Sequence, residues 1–150
     1  MEPQEARSYL TKIYNLKKNI KRQKTKLGKM ESASLSIHNN DDIGKQCPED
    51  QLARSEKMAI AIAEKRAEIH DATTGWMNAA ISALDIIAVI PDPLHRTLLI
   101  ERYINCTTIK EAFSFLDINP SGGYAKKILH DAEKAFAEAE EIVMNDTTMQ

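Results

Sequence analysis

Residues 90–136 read IPDPLHRTLLIERYINCTTIKEAFSFLDINPSGGYAKKILHDAEKAF, and the breaks between their apolar runs decide the fold of this region. Pro91 ends a preceding helix, Asp92 is a favoured N-cap residue, and Pro93 suits the first turn of a new helix. We therefore predict a helix from Pro93 to about Ile104. Its inner face comprises Leu94, Leu98, Leu99 and Tyr103.

Two further helices follow in the same stretch. Thr108 and Glu111 have the spacing of a capping box, which predicts a helix over about residues 109–117. The last helix runs from about 121 to 142, with Asn119 or Ser121 as its predicted cap. The inward residues are Ala112, Phe113 and Leu116 in the first of these helices, and Ile128, Ala132 and Phe136 in the second.

Two long helices are predicted upstream. The first covers about residues 3–30, and its apolar residues alternate at spacings of three and four, which indicates a coiled-coil-like seam. A polar linker covers 31–47, and the second long helix covers about 48–90. Because the C-terminal half of that helix is apolar over a wide arc, we expect more than one neighbour to bury it. The seam of the first helix comprises Ala6, Tyr9, Ile13, Leu16, Ile20, Gln23, Leu27 and Met30.

The sequence thus predicts an all-α protein. Residues 1–90 form a long antiparallel two-helix, coiled-coil-like hairpin, and residues 91–144 form a three-helix, helix-turn-helix domain. Residues 145–150 are predicted to be a frayed tail. An apolar seam of this length favours a partner helix, so we expect a homo-oligomer, a dimer in the simplest case, through the hairpin.

Composition is ordinary for a soluble protein, with 43% hydrophobic and 28% charged residues. No apolar run approaches about 18 residues, so no membrane span is expected. The N-terminus lacks the apolar core of a signal peptide. Cys47 and Cys106 have no metal-ligand spacing, and we interpret them as free thiols of a cytoplasmic protein; a disulfide between them is the other interpretation.

No pattern indicates catalysis. The histidines lie outside the HExxH and CxxC contexts that mark metal sites, and no GxSxG nucleophile motif occurs. Gly122 and Gly123 lack the preceding strand and the GxxxxGK[ST] spacing of a phosphate loop. We therefore expect no catalytic residue, no metal and no cofactor. The histidines are His38, His70, His95 and His130.

The two predicted helices over 109–117 and 121–142 have the pattern of a helix-turn-helix, whose second helix enters the DNA major groove. Small residues at its start would let backbone amides approach a phosphate, and its lysines would supply the salt-sensitive attraction. The alternative is a helical packing motif without DNA, since residues 91–136 carry six basic and six acidic residues. The candidate DNA-binding residues are Ser121, Gly122, Gly123, Tyr124, Lys126, Lys127 and His130, with Thr107 and Thr108.

Charge is unevenly distributed along the chain. Residues 1–30 hold nine basic and two acidic residues, although the whole chain has a net charge of −2. This asymmetry indicates an anionic partner, or pairing with an acidic segment of the same protein. The candidate residues of this secondary basic face are Lys17, Lys18, Lys21, Arg22 and Lys24. The candidate intramolecular partners are Glu56, Glu64, Glu68 and Asp71.

The apolar and capping pattern of residues 90–136 resembles small phage and prophage regulators with a domain like region 4 of sigma-70 factors, including the ArpU-like and RinA-like late-transcription regulators. The shared features are an "R.LL..RY" helix, a Thr-capped "T..EA" helix, and a final helix with a characteristic spacing of six residues. The N-terminal "YL..I..L...I......L" pattern is also similar. In the final helix, the six residues that share the family's spacing are Ser121, Tyr124, Lys127, Ile128, Ala132 and Phe136.

This resemblance implies a phage or prophage transcriptional regulator that binds double-stranded DNA through the last helix, with host RNA polymerase as a further expected partner. The competing interpretation is a helical adaptor or inhibitor that binds a host protein and no DNA. Retention on heparin at low salt would separate the two, because only the first requires a polyanion-binding surface.

Overall fold

The computed structural model describes residues 1–39 and 48–148, and the side chains within 1–36 and 53–148. Within these ranges the chain is helical and contains no β-strand, which confirms the predicted all-α class. Helix α3 continues directly into a π-helical turn, Ile100–Ile104. The helices are α1 (Pro3–Asn39), α2 (Pro48–Ile87), α3 (Pro93–Leu99), α4 (Ile109–Phe115) and α5 (Gly123–Thr148).

Helix α1 is longer than predicted. It continues to Asn39, so the first part of the predicted linker is helical. Gly28 lowers helix stability by about 1 kcal/mol, but it keeps the backbone N–H that a proline would remove. Beyond Gly28, the Glu31 carboxylate accepts a hydrogen bond from the Arg66 guanidinium at 2.9 Å. The remaining linker residues, 40–47, which include Cys47, lie outside the described residues.

Four other helix ends differ from the prediction, and one of them is the end of α4, at Phe115 rather than at about residue 117. Helix α2 ends at Ile87 rather than at about residue 90, and α5 begins at Gly123 rather than at about 121. Helix α5 also continues through residues 145–148, which were predicted to be frayed. There the hydroxyls of Thr147 and Thr148 donate to carbonyls four residues earlier, at 2.9 and 2.6 Å.

The predicted start of α3 is confirmed. The Asp92 carboxylate accepts a hydrogen bond from the Leu94 amide at 2.9 Å, and Pro93 occupies the first turn. The Arg96 guanidinium donates to the Ile90 carbonyl at 2.6 Å. This bond gives the Ile90 carbonyl a donor that Pro93, three residues later, cannot supply, because proline has no N–H.

Side chains and backbone close both ends of α4. The predicted capping box is present: Thr108 accepts from the Glu111 amide, and the Glu111 carboxylate accepts from the Thr108 amide. At the other end, Asp117 adopts a left-handed φ of 57°. The amides of Asp117 and Ile118 donate to Ser114 and Phe113 at 3.1 and 2.8 Å. These paired bonds form a Schellman motif, which fixes the direction in which the chain leaves α4.

The chain divides into two compact units, and the division differs from the predicted boundary at 90/91. The first unit combines Met1–Lys17 with the chain from Trp76 onward, and the second is Lys18–Gly75. The start of α1 joins the C-terminal helices because Ala6, Leu10 and Ile13 belong to the same buried cluster as the residues of α3 to α5.

The core of the first unit is centred on aromatic and branched side chains of α4 and α5. Phe113 and Phe136 are 1% and 0% exposed. The Tyr9 ring lies 5.9 Å from the Phe136 ring, in a tilted arrangement that is favourable for aromatic pairs. Helix α3 packs against α5. Further buried members of this cluster are Ile87, Ile90, Leu98, Leu99, Tyr103, Ala125, Ile128 and Ala132.

The register of α1 in this unit differs from the predicted seam. Leu10, which the seam omitted, is fully buried, whereas Leu16, which it included, is 40% exposed. The predicted members Ala6 and Ile13 are buried. A single seam assumes one partner helix, but this end of α1 belongs to a cluster drawn from several helices, and that selects a different set of residues.

Part of the apolar arc of α2 is exposed, contrary to the prediction. Met77, Ile81 and Leu84 are 50%, 54% and 36% exposed. Ala80, Ala83 and Ile87, on another side of the helix, are buried. The neighbouring helices within the first unit therefore cover one side of α2 and leave an apolar row uncovered.

One polar pair is buried in the first unit. Glu133 is 4% exposed and accepts a hydrogen bond from the Tyr103 hydroxyl at 3.0 Å. The Arg7 guanidinium lies 3.8 Å from the same carboxylate oxygen. Burial, and then the Glu133 carboxylate, raise the pKa of Tyr103. The pair links the π-helical turn to α5, since buried polar groups require such partners.

The second unit contains the polar halves of α1 and α2. Among its described side chains, the buried apolar residues are Ile20, Ile62 and Ile69, each no more than 9% exposed. Lys65 donates to the Gln23 carboxamide at 2.8 Å, so contacts between the two helices in this unit are partly polar.

We predict that Phe136→Ala lowers the free energy of unfolding by about 3–5 kcal/mol, because it leaves a cavity in the core. Tyr124→Ala, on the same helix at a side chain that is 67% exposed, should change it by less than about 0.5 kcal/mol. Urea denaturation followed by circular dichroism measures both. Equal losses in the two variants would contradict the packing of α5.

Tyr103→Phe should lower the free energy of unfolding by about 1–3 kcal/mol near neutral pH, because the buried Glu133 carboxylate loses a donor. The pKa of Tyr103 is raised on folding, so the protonated hydroxyl contributes stability that is present below its ordinary pKa of about 10 and is lost as the pH rises towards the folded value. The variant should therefore lose less stability than the wild type between about pH 9 and pH 11.

Urea denaturation across this pH range, followed by the fluorescence of the single Trp76, measures the difference. The control is Tyr124→Phe, at an exposed tyrosine of the same chain. Identical pH dependence in Tyr103→Phe and the wild type would contradict the role given to the buried pair.

Candidate nucleic-acid interface

The structure presents the opening of α5 as an exposed, basic helix face. Tyr124, Lys126, Lys127 and His130 are exposed, whereas Ala125 and Ile128 between them are buried. At 3.6 residues per turn, burial of Ala125 and Ile128 turns the intervening side chains outward. Among the described residues, Lys126, Lys127 and His130 form no ion pair.

Tyr124 differs in exposure from Ala125 and Ile128, the buried apolar residues that follow it in α5. It is 67% exposed, although its spacing continues the apolar pattern of the helix. The Tyr124 ring is therefore available to a ligand and does not belong to the core. A tyrosine at the start of an exposed basic helix can donate a hydrogen bond or pack against a sugar or base.

The connection that precedes α5 covers residues 116–122, which is longer than the roughly three to four residues of a helix-turn-helix turn. The Asn119 carboxamide accepts hydrogen bonds from the Ser121 amide and hydroxyl, at 3.1 and 2.7 Å. Ser121 is thereby turned back into the connection instead of capping α5. Among the described residues, no side chain accepts a hydrogen bond from the first amides of α5.

The paired glycines are not required by local packing. Neither has a positive φ. A Cβ added to Gly123 would meet nothing within 4 Å, and one added to Gly122 would lie in ordinary contact, 3.9 Å from the Tyr124 nitrogen. The glycines therefore leave the opening of α5 bare, and no demand of the surrounding chain accounts for this.

Thr107 and Thr108 have structural roles in the entrance to α4. The Thr107 hydroxyl donates to the Glu101 carbonyl at 2.8 Å, and the Arg102 guanidinium donates to the Thr107 carbonyl at 3.1 Å. The Thr108 hydroxyl belongs to the capping box. Both predicted contact residues therefore have hydroxyls engaged within the chain.

The predicted secondary basic face is only partly exposed. Lys17 is used internally: its ammonium donates to the Ile104 carbonyl at 3.0 Å and lies 4.7 Å from the centre of the Trp76 ring. Lys18, Lys21, Arg22 and Lys24 are exposed. Two lysines that the candidate set omitted, Lys26 and Lys29, are exposed on the same segment.

The expected pairing of the α1 lysines with acidic residues of α2 is not observed among the described side chains. Glu68 instead pairs with Lys65 on its own helix, at 3.0 Å. The ion pair that does join the two helices has the opposite polarity, with Arg66 on α2 and Glu31 on α1, at 2.9 Å. Within the described side chains, Lys21, Arg22, Lys26 and Lys29 therefore have no carboxylate partner on α2.

This segment of α1 also repels itself. Pairs such as Lys18 with Arg22 and Arg22 with Lys26 are four residues apart, and like charges at this spacing destabilise a helix by about 0.2–0.5 kcal/mol each. Residues 6–30 contain no Asp or Glu that could relieve the repulsion. The sequence thus concentrates positive charge on α1 at the expense of helix stability.

No group of three or more His, Cys, Asp or Glu side chains in the described part of the chain could hold a metal ion. His95 lies 3.7 Å from the Asp92 carboxylate, near the start of α3. Cys106, which has a left-handed φ of 56°, lies beside the π-helical turn, with its Sγ 3.7 Å from the Tyr103 carbonyl oxygen. None of the helices found in residues 1–39 and 48–148 combines the length and apolarity needed to cross a membrane.

Comparison of the chain with protein-family models, with curated proteins and with solved structures gives no match.

Proposed function

We propose that this protein is a phage or prophage transcriptional regulator that binds double-stranded DNA through the opening of α5. One observation carries the proposal: Tyr124, Lys126, Lys127 and His130 are exposed together at the start of a long helix. An α-helix fits the major groove, which is about 12 Å wide. Helix α4 and the connection after it play the part of the helix-turn-helix that presents α5.

The exposed side chains at the opening of α5 have different roles in the proposed DNA contact. Lys126 and Lys127 are exposed and lack carboxylate partners among the described residues, so they are suited to phosphates. Tyr124 and His130 supply hydrogen-bonding groups and flat surfaces at the same end of the helix. Phosphate contacts position a protein on the duplex, whereas contacts with base edges specify sequence. The proposed interface contains more groups suited to phosphate contacts than groups suited to base edges.

Gly122 and Gly123 permit the backbone to come close to DNA. A helix N-terminus attracts phosphate through its free amides and its dipole. In this chain the opening amides have no side-chain acceptor among the described residues, and no Cβ stands in front of them. The small residues thus favour a close contact between the start of α5 and the DNA backbone.

Self-association belongs to the same proposal. Helices α1 and α2 form the antiparallel hairpin, and the exposed row of Met77, Ile81 and Leu84 on α2 joins two copies. These residues have the four-then-three spacing of a helical seam. A two-fold dimer would present two α5 openings to half-sites about one DNA turn, or roughly 34 Å, apart. Host RNA polymerase is the proposed further partner at the promoter.

A second candidate function is a helical adaptor that binds a host protein. The observation that favours it is the exposure of Phe115 and Tyr124, at 69% and 67%. Aromatic side chains are enriched in protein interfaces, where they act as anchors. An adaptor would use these aromatics and would not depend on the lysines of α5.

We predict that Lys126→Gln combined with Lys127→Gln weakens duplex DNA binding and reduces the slope of log affinity against log salt by about 2, because each lysine neutralises one phosphate. Fluorescence anisotropy with a labelled promoter-region duplex, over a range of salt concentrations, measures both quantities. The charge-matched control is Arg54→Gln combined with Lys57→Gln on α2. Unchanged affinity and slope in the α5 variant would favour the adaptor.

Gly123→Ala should have opposite effects on stability and on binding. It should raise the free energy of unfolding by about 0.4–1 kcal/mol, because the added methyl group meets no neighbour and the unfolded chain loses freedom. It should also lower DNA affinity, because the methyl group obstructs the backbone contact. Gly75→Ala, where a Cβ again meets nothing, should raise stability and leave affinity unchanged. Unaltered affinity in Gly123→Ala would remove the close contact from the proposal.

A further inference from the structure

We infer that α1 carries a second DNA-contacting surface, the basic face, which consists of Lys21, Arg22, Lys26 and Lys29. This surface binds the phosphate backbone of a duplex and reads no bases. The inference rests on the proposed function only in taking double-stranded DNA as the ligand. It uses residues of the second compact unit and none of those at the opening of α5.

The four side chains lie on one side of α1. At about 100° per residue they fall within an arc of about 140°, and Ile20 and Leu27 lie on the opposite side. Ile20 is 6% exposed, whereas all four basic residues are exposed. The side of α1 that packs within the unit and the side that carries the charge are therefore different.

The positive charge of the basic face is not neutralised within the described part of the chain. None of its four side chains forms an ion pair there. Two carboxylates of this unit are engaged with other cations, Glu31 with Arg66 and Glu68 with Lys65. Residues 6–30 contain no acid, so this stretch of α1 offers the face no carboxylate of its own, and the face is suited to an anionic ligand.

The spacing of the charges fits a duplex. Residues 21–29 span about 12 Å of rigid helix at 1.5 Å per residue. Phosphates along one DNA strand recur about every 3.4 Å of helix axis, so a row of this length meets about three or four of them. The four cations thus match the number of phosphates within their reach.

A membrane surface fits the same segment less well. Helices that bind bilayers combine a basic face with an exposed apolar face that inserts between lipids. On this segment Ile20 is buried and Leu27 is half-buried, so the apolar side is largely withdrawn from solvent. Electrostatic attraction alone remains, and that favours a polyanion with regularly spaced, accessible charges.

The test compares three full-length variants with the wild type: Arg22→Gln with Lys26→Gln on the basic face, Lys126→Gln with Lys127→Gln on α5, and Arg54→Gln with Lys57→Gln on α2. Glutamine retains good helix propensity, and circular dichroism checks that each variant is folded. A fourth variant, Arg22→Lys with Lys26→Arg, keeps the charge. The probes are a mixed-sequence DNA duplex and phosphatidylserine-containing vesicles.

The basic-face variant should bind the duplex about 10- to 100-fold more weakly at about 0.1 M salt, with a slope reduced by about 2, while the charge-keeping variant binds like the wild type. Affinity and slope equal to those of the α2 control would overturn the inference. Loss of vesicle binding with duplex binding intact would also overturn it, in favour of a lipid surface. Normal duplex binding by the α5 variant, with loss only in the basic-face variant, would reject the role of α5 and keep that of α1.

Discussion

Burial of one row of α5 is the constraint on which the rest of the first unit depends. Phe136 is fully buried against Tyr9 of α1, and Ala125, Ile128 and Ala132 continue that row towards the start of the helix. Because the helical period is fixed, burying this row leaves no choice for Tyr124 and Lys127, which must face outward. Glu133 adds a polar requirement to the same row, since its buried carboxylate needs the Tyr103 hydroxyl as donor. The rotation of α5 about its axis is therefore set twice, once by apolar packing and once by a buried hydrogen bond. The exposed basic opening follows from this rotation.

The second organising feature is the contrast between the cations of α1, one of which contacts other groups of the chain whereas others remain in solvent. Where α1 joins the first unit, its cation Lys17 is drawn inward, towards the Ile104 carbonyl that ends the π-helical turn and towards the face of Trp76. Further along, Lys21, Arg22, Lys26 and Lys29 remain in solvent and form no ion pair within the described part of the chain, although like charges along a helix oppose its formation. Lysines of the same helix are thus either in contact with other groups of the chain, as Lys17 is, or exposed to solvent. The difference lies in whether an acceptor is near enough to offset the removal of an ammonium group from water.

The sequence predicts best what is encoded locally. The ends of α3 and α4 follow from Pro91, Asp92 and Pro93 and from the spacing of Thr108 and Glu111, because capping depends on residues a few positions apart. The placement of Leu10 and Leu16 could not be obtained in this way, since it depends on which helices meet α1. The end of α1 was misplaced because a single glycine weakens a helix without ending it. The exposed residues of α5 were identified as a group, whereas the internal use of Thr107 and Lys17 depends on carbonyls brought close by the fold. The exposure of Ile81 likewise depends on how far the neighbouring helices extend.

The claim that the opening of α5 meets DNA is tested most directly by following the backbone amide resonances of the isotope-labelled protein as a promoter-region duplex is added. The account predicts that the amide signals of Gly122, Gly123, Tyr124 and Lys127 shift together and saturate at one binding stoichiometry, while those of the buried residues Phe113 and Phe136 move little. Duplex-dependent shifts that leave Gly122 to Lys127 unmoved would contradict it.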